Sequence, residues 1–155
     1  GVAKADAMCQ TLAGAVPVPP IKGRRVDKFV AYLSAPGADA SSRLKNGDLG
    51  YARPKDLAIV AKTYGDLIAG NFQIPVLYDE LGVQIPGNSS CDNMPALVWT
   101  GTEPGGMTAE DHCGSWMDPL LLGQQGSALS SGTPAIAACG FSCLASSRLY
   151  CVENP

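Results

Sequence analysis

The sequence predicts an α+β domain: one or two early helices, then short antiparallel strands set among long loops and held by disulfides. Three observations point there. The 155 residues include six cysteines, Cys9, Cys91, Cys113, Cys139, Cys143 and Cys151. An even number at wide spacings, with no C-x2-C pair, suits three disulfides in an oxidising compartment better than a zinc site or six buried thiols. Eighteen Gly and twelve Pro demand much turn and loop. Helical periodicity appears only near the N-terminus, and short strand-like apolar runs follow it.

The elements read in order as follows. Residues 3–15 predict a helix, with Ala5, Met8/Cys9, Leu12 and Ala15 on the apolar face. Pro17, Pro19 and Pro20 end it and form an extended connector. Residues 28–34 read as a strand stopped by Pro36-Gly37, and residues 38–46 as a short helical turn. Residues 57–61 and 74–77 are brief apolar runs, the second demoted by Pro75 to an edge or a strand start. From Leu81 onward Gly, Pro, Asn and Ser prevail, interrupted by one clear strand at residues 96–100. Residues 101–110 and 120–134 read as loops, and residues 140–153 as a hairpin whose second strand is 148–152. Trp99 and Trp116 are expected in the core beside Cys113. No internal repeat and no linker divides the chain, so residues 1–155 read as a single domain.

Composition excludes several function classes. Hydrophobic residues make up 46% and charged residues 16%, yet no apolar run approaches a membrane span, so direct membrane insertion is not expected. The start Gly1-Val2-Ala3-Lys4 has no signal pattern, so any export signal is expected to have been removed or to lie upstream. The net charge of −3 hides a split: residues 1–62 hold ten of the eleven Lys/Arg and five of the fourteen Asp/Glu. Such a split marks either a surface that meets a polyanion or, more commonly, two halves that attract each other. With a sequence pI near 5.0, against the ~9 usual for nucleic-acid-binding domains, no nucleic-acid partner is expected.

Five segments together resemble the endostatin-like branch of the C-type lectin-like fold, which includes collagen-derived endostatins and bacterial endostatin-like surface domains. Ala5-Asp6-Ala7-Met8-Cys9-Gln10 resembles its opening helix, and Phe29-Val-Ala-Tyr-Leu-Ser34 the strand that follows. Ile74-Pro-Val-Leu-Tyr-Asp-Glu-Leu-Gly82 resembles the lead into the long loops. Val98-Trp-Thr-Gly-Thr102 with Asp111-His-Cys-Gly-Ser-Trp116 resembles the core strand, loop and cysteine-bearing strand, and Leu149-Tyr-Cys-Val-Glu153 the closing strand. No single motif is specific; their order and spacing carry the likeness.

The resemblance implies the pairs Cys9–Cys151 and Cys113–Cys143, which leaves Cys91 and Cys139 to each other; counting alone allows fifteen connectivities. It also implies a strand before the opening helix, so residues 148–152 are expected to lack one neighbour. Such a bare edge invites a homo-oligomer. The sugar-binding calcium pattern of lectins is broken: Glu103-Pro104-Gly105 lacks the amide, and Ala135-Ile-Ala-Ala138 replaces the acidic strand motif. Asp92, Asn93, Glu103, Glu110 and Asp111 still offer oxygens, so calcium is the one ion worth weighing. No cofactor is expected.

Nor is catalysis. His112 is the only imidazole, its neighbour Cys113 is expected in a disulfide, and no G-x-S-x-G elbow is present. Asp79-Glu80 and Glu110-Asp111 are better read as surface turns than as an acid–base pair. The basic residues Lys22, Arg24, Arg25, Lys28, Arg43 and Lys45, followed by Arg53 and Lys55, form the best candidate surface, joined by Asp92, Asn93 and Glu103 from the loops. Animal endostatins bind heparin through arginines, a similarity of type only. Asn88-Ser89-Ser90 is a glycosylation sequon that reads as incidental in a domain most like the bacterial ones. The expectation is an exported adhesion module, at the cell surface or outside it. Its partner would be a glycan or protein on a host, prey or matrix surface. The alternative is a structural domain of a surface fibre or lipoprotein.

Overall fold

The computed structural model describes residues 1–15, 25–47, 50–92 and 94–154. The proline connector and the candidate residues Lys22, Arg24 and Asn93 lie outside the described residues.

Helix α1 (Val2–Ala15) buries Ala5, Cys9 and Ala13. Their four-residue spacing makes one narrow stripe, and the small side chains let the helix lie close to its neighbour. The stripe is rotated from the expected one: Met8 is 51% and Leu12 37% exposed. Beneath it runs β1 (Phe29–Ala31), antiparallel to the closing strand β8 (Cys151–Glu153), with Val30 opposite Val152. Cys9 is bonded to Cys151, so the first helix is fastened to the last strand.

Asp6 of α1 accepts from the Ala31 amide at 2.9 Å and pairs with Arg43 at the end of the short helix α2 (Ala40–Arg43). The Arg43 guanidinium also donates to the carbonyls of Ala31 and Leu33. A guanidinium has no acceptor and many donors, so this one is consumed in tying three elements together.

The chain leaves β1 still extended, with Tyr32 N–H donating to Tyr150 at 2.9 Å and Ser34 N–H to Thr100 at 2.8 Å. Those bonds join the first pair to a four-stranded sheet of order β6-β5-β4-β7. Its members are β4 (Leu97–Trp99), β5 (Leu122–Ser127), β6 (Cys139–Ser142) and β7 (Arg148–Leu149). Strand β5 runs antiparallel to both neighbours, and β7 runs parallel to β4. A small hairpin of β2 (Tyr51–Ala52) and β3 (Ile59–Ala61) leads to helix α3 (Tyr64–Ala69). Between the layers lie Tyr32, Val98, Ile136, Leu67, Phe72 and Tyr150. The buried phenols donate to carbonyls, Tyr32 to Leu67 at 3.3 Å and Tyr150 to Ala135 at 3.0 Å.

Four expectations need correction. Residues 120–134 are not all loop, because they contain β5, the longest of the described strands and an interior one. Its sequence Leu-Gly-Gln-Gln-Gly-Ser lacks β-branched residues, and packing rather than propensity places it. A Cβ on Gly126 would stand 1.9 Å from the Ala135 carbonyl oxygen, so only glycine fits. Residues 140–153 are not a hairpin: β6 pairs with β5, β7 with β4, and β8 with β1. The segment 148–152 divides between two partners, and among the described residues β7 and β8 each pair on one side only, at the edge of their sheets. Residues 74–77 form no strand, although Leu77 N–H donates to Ala128 at 3.0 Å. Finally, Cys113–Trp116 is a helical turn rather than a strand.

Disulfides join Cys9 to Cys151, Cys91 to Cys139 and Cys113 to Cys143, leaving no free cysteine. Cys9–Cys151 and Cys113–Cys143 are the pairs implied by the resemblance, Cys91–Cys139 is the pair those two left over, and all three suit an oxidising compartment. No described helix is long and apolar enough to cross a membrane.

Candidate functional site

Among the described residues, the longest run of left-handed backbone follows Asp111. Cys113, Gly114, Ser115 and Trp116 have φ of 53°, 55°, 62° and 63°. Four successive residues in the left-handed region make one turn of left-handed helix, closed by Trp116 N–H to His112 and Met117 N–H to Cys113, each 2.9 Å. Three of the four carry side chains, each at a cost of about 1–2 kcal/mol relative to the right-handed form. Strain of this kind persists only where the surroundings dictate it, and it gathers at functional surfaces.

Several contacts hold the turn. Cys113 is bonded to Cys143 beside β6. The Ser115 amide donates to His112 Nδ1 at 2.9 Å, and Asp118 N–H donates to the Cys113 carbonyl at 2.9 Å. Trp116 reaches back under the turn: its Nε1 donates to the Ser34 carbonyl at 2.8 Å, and its ring meets Trp99 edge to face at 5.8 Å. Gly123 of β5 makes room, since a Cβ there would lie 2.6 Å from Cys113 Sγ and 2.7 Å from the Trp99 ring.

Both tryptophans are half-buried rather than interior. Shallow depressions of about 180 Å³ flank them, one lined by Met8, Leu33 and Leu149, the other by Met117, Pro119 and the Cys113–Cys143 bond. Beyond the second, Met117 is 78%, Leu120 81% and Leu144 71% exposed, with Leu121 and Leu122 about half so. Cys143 N–H donates to the Leu121 carbonyl at 3.0 Å, which sets Leu144 beside that row. Met8, the indole pair and Met117 line the two depressions, and the exposed Leu120, Leu121, Leu122 and Leu144 follow in the adjoining segments, together an apolar face. Exposed apolar side chains gathered in this way are the kind of surface that interaction sites use. Neither depression approaches the ~300 Å³ of a small-molecule pocket, so the face suits a macromolecule.

The residues singled out in the sequence fall elsewhere. Arg43 is committed to Asp6, as described above. Arg53 is likewise consumed by Asp56 at 2.6 Å and the Tyr78 ring, and that ion pair holds the Asp56 carboxyl below its usual range. Arg25, Lys28 and Lys45 are brought together by the chain end: Arg25 N–H donates to Glu153 Oε1 at 2.9 Å, Asn154 N–H to the Lys28 carbonyl at 2.9 Å, and Lys45 N–H to Asn154 Oδ1 at 3.0 Å. This small basic edge also contains Asp27, 3.8 Å from Lys28. Lys55 is exposed and lies over Gly82.

The oxygen-bearing candidates are scattered. Asp92 is exposed in the turn after Cys91, and Glu103 in a turn held to α2 through Gly106. Among the described residues, no group of three or more His, Cys, Asp or Glu gathers to hold a metal ion. Sequence reasoning missed the apolar face. Its one signal was Met117-Asp-Pro-Leu-Leu-Leu122, an apolar run too rich in turn formers to be a core strand. No known protein family matches the chain, and no curated protein is similar to it.

Proposed function

We propose that this chain is an extracellular, non-catalytic adhesion module of C-type lectin-like, endostatin-like fold, and that its indole-based apolar face recognises a protein on another surface. The single observation that carries the binding role is that face, presented on a base stapled by three disulfides. The fold reading draws support from the helix-to-closing-strand and turn-to-closing-segment disulfides, which match those of the branch it resembles. Tryptophan and methionine are enriched in the energetic centres of interfaces while lysine and glutamate are depleted. Here Lys4 and Asp118 are the only charged side chains lining the two depressions. A glycan would ask for convergent hydrogen-bonding groups, which this surface has few of.

The test is binding of the domain to immobilised extracellular-matrix proteins and to a glycan array, beside the Leu120→Asp and Leu144→Asp variants. Both leucines are largely exposed, so neither change disturbs the core. Protein capture by wild type, lost at least tenfold in both variants, is expected. Capture that survives both variants, or glycan capture abolished instead by Lys28→Glu and Lys45→Glu, would move the site to the basic edge and defeat this reading.

A further inference from the structure

We infer that His112 is an acid-sensitive latch on the left-handed turn, so that the apolar face holds its shape while the imidazole is neutral and loosens when it gains a proton. The inference rests on the binding role proposed for that face and names how it would be regulated. His112 is the only histidine in the chain, and its Nδ1 accepts the Ser115 amide hydrogen at 2.9 Å. An imidazole nitrogen accepts only when it carries no hydrogen, so the bond requires the neutral ring with its proton on Nε2. Protonation places N–H on both nitrogens. The Ser115 N–H then faces another donor, and one of the two must turn away.

The location gives this loss its consequence. Ser115 sits in the middle of the strained turn, at φ 62°. The latch therefore opposes a backbone that elsewhere would relax, and the anchors at Cys113 and at the Trp116 indole confine the change to residues between them and the Met117–Leu122 row. Imidazole is the ordinary side chain that changes charge between about pH 5 and 8. The other charged groups around the turn differ in kind. Glu110, Asp111 and Asp118 belong to the same segment, with Asp111 Oδ2 lying 3.0 Å from where a Gly140 Cβ would stand on β6. The Gly1 ammonium reaches the Trp116 carbonyl at 3.4 Å, and Lys4 lines the depression beside Trp116. Strand β5, which meets His112 through Gly123, contributes no titratable group, and β6 contributes only the disulfide-bonded Cys139.

The experiment is a titration of 15N-labelled protein from pH 8 to pH 5 without any partner, following the Ser115 amide and the His112 ring resonances. His112→Asn is the comparison, because the asparagine Oδ1 occupies a place like that of Nδ1 and accepts at every pH. In wild type the Ser115 amide should shift in step with the ring, and its exchange protection should fall about tenfold. In His112→Asn both should stay flat while Tyr32 in the core remains protected in both proteins. A Ser115 amide that does not follow the ring, or that moves equally in His112→Asn, overturns the latch. Since no partner is present, failure to find one leaves this result intact, and a flat titration leaves the binding face intact.

Discussion

Tyr150 places its phenol wholly inside the core, against Phe72 at 6.0 Å between ring centres. Burial pushes its ionisation well above the ordinary phenol range, and the nearby Tyr32 adds to the shift; burial does the same to Tyr32. A phenol whose folded value is raised contributes stability that is fully present below its unfolded value, about 10, and lost as pH climbs beyond it. The protein should therefore weaken steeply above about pH 10. Tyr150→Phe should cost about 1 kcal/mol at neutral pH, the net value of its bond to Ala135, yet show a shallower alkaline decline. Urea midpoints at pH 7.5 and pH 10.5 decide it, and equal declines in the two proteins would refute it.

At the scale of elements, the left-handed turn makes the sharpest claim. Ser115→Gly should raise stability by about 0.5–1 kcal/mol, because glycine accepts this backbone without steric cost. A higher urea midpoint with unchanged slope would bear that out; a lower midpoint would show that the Ser115 side chain, not the backbone, matters there. The same contrast explains what was legible in the sequence. Helix α1 and strands β1, β3 and β4 announced themselves through periodicity and β-branched or aromatic content. Helix α3 escaped notice although its ends were written plainly, with Thr63 Oγ1 accepting the Asp66 amide at 3.0 Å and Gly70 closing the other end at φ 72°. Strand β5 could not be read at all, since Gly123 and Gly126 are there to admit Cys113, Trp99 and Ala135, contacts that exist only after folding. The candidate face was illegible for a related reason: Met8, Trp99, Met117 and Leu144 are far apart in sequence, and only tertiary structure makes them one surface. Arg43 shows the reverse error, a basic residue that looked available but is spent internally.

For the whole molecule, few strands exceed three residues, so covalent staples substitute for extended ladders. Cys9 and Cys151 are separated by 142 residues. A closed loop of that size is worth ~5 kcal/mol in the chain-entropy account and ~2–4 in common measurement, a large share of a net stability of ~5–15 kcal/mol. The double variant Cys9→Ala/Cys151→Ala should accordingly lose ~2–4 kcal/mol. Its first loss of hydrogen-exchange protection should come in α1, whose other polar fastenings include Asp6 and Gln10. Uniform loss across the sheet would mean instead that the bond supports the whole domain evenly.

That bond also has a mechanical meaning. Its two Cα atoms are 5.4 Å apart, whereas the chain between them, drawn out straight, would span roughly 480 Å. When tension is applied to the chain on the far sides of Cys9 and Cys151, the force passes from one sulfur to the other and bypasses everything in between. The tryptophans, the strained turn and the exposed leucines beside it carry none of the load. A chain drawn out at both ends can peel back its first helical turns, Met8 with them, yet the indole pair and the strained turn keep their shape until a covalent bond breaks.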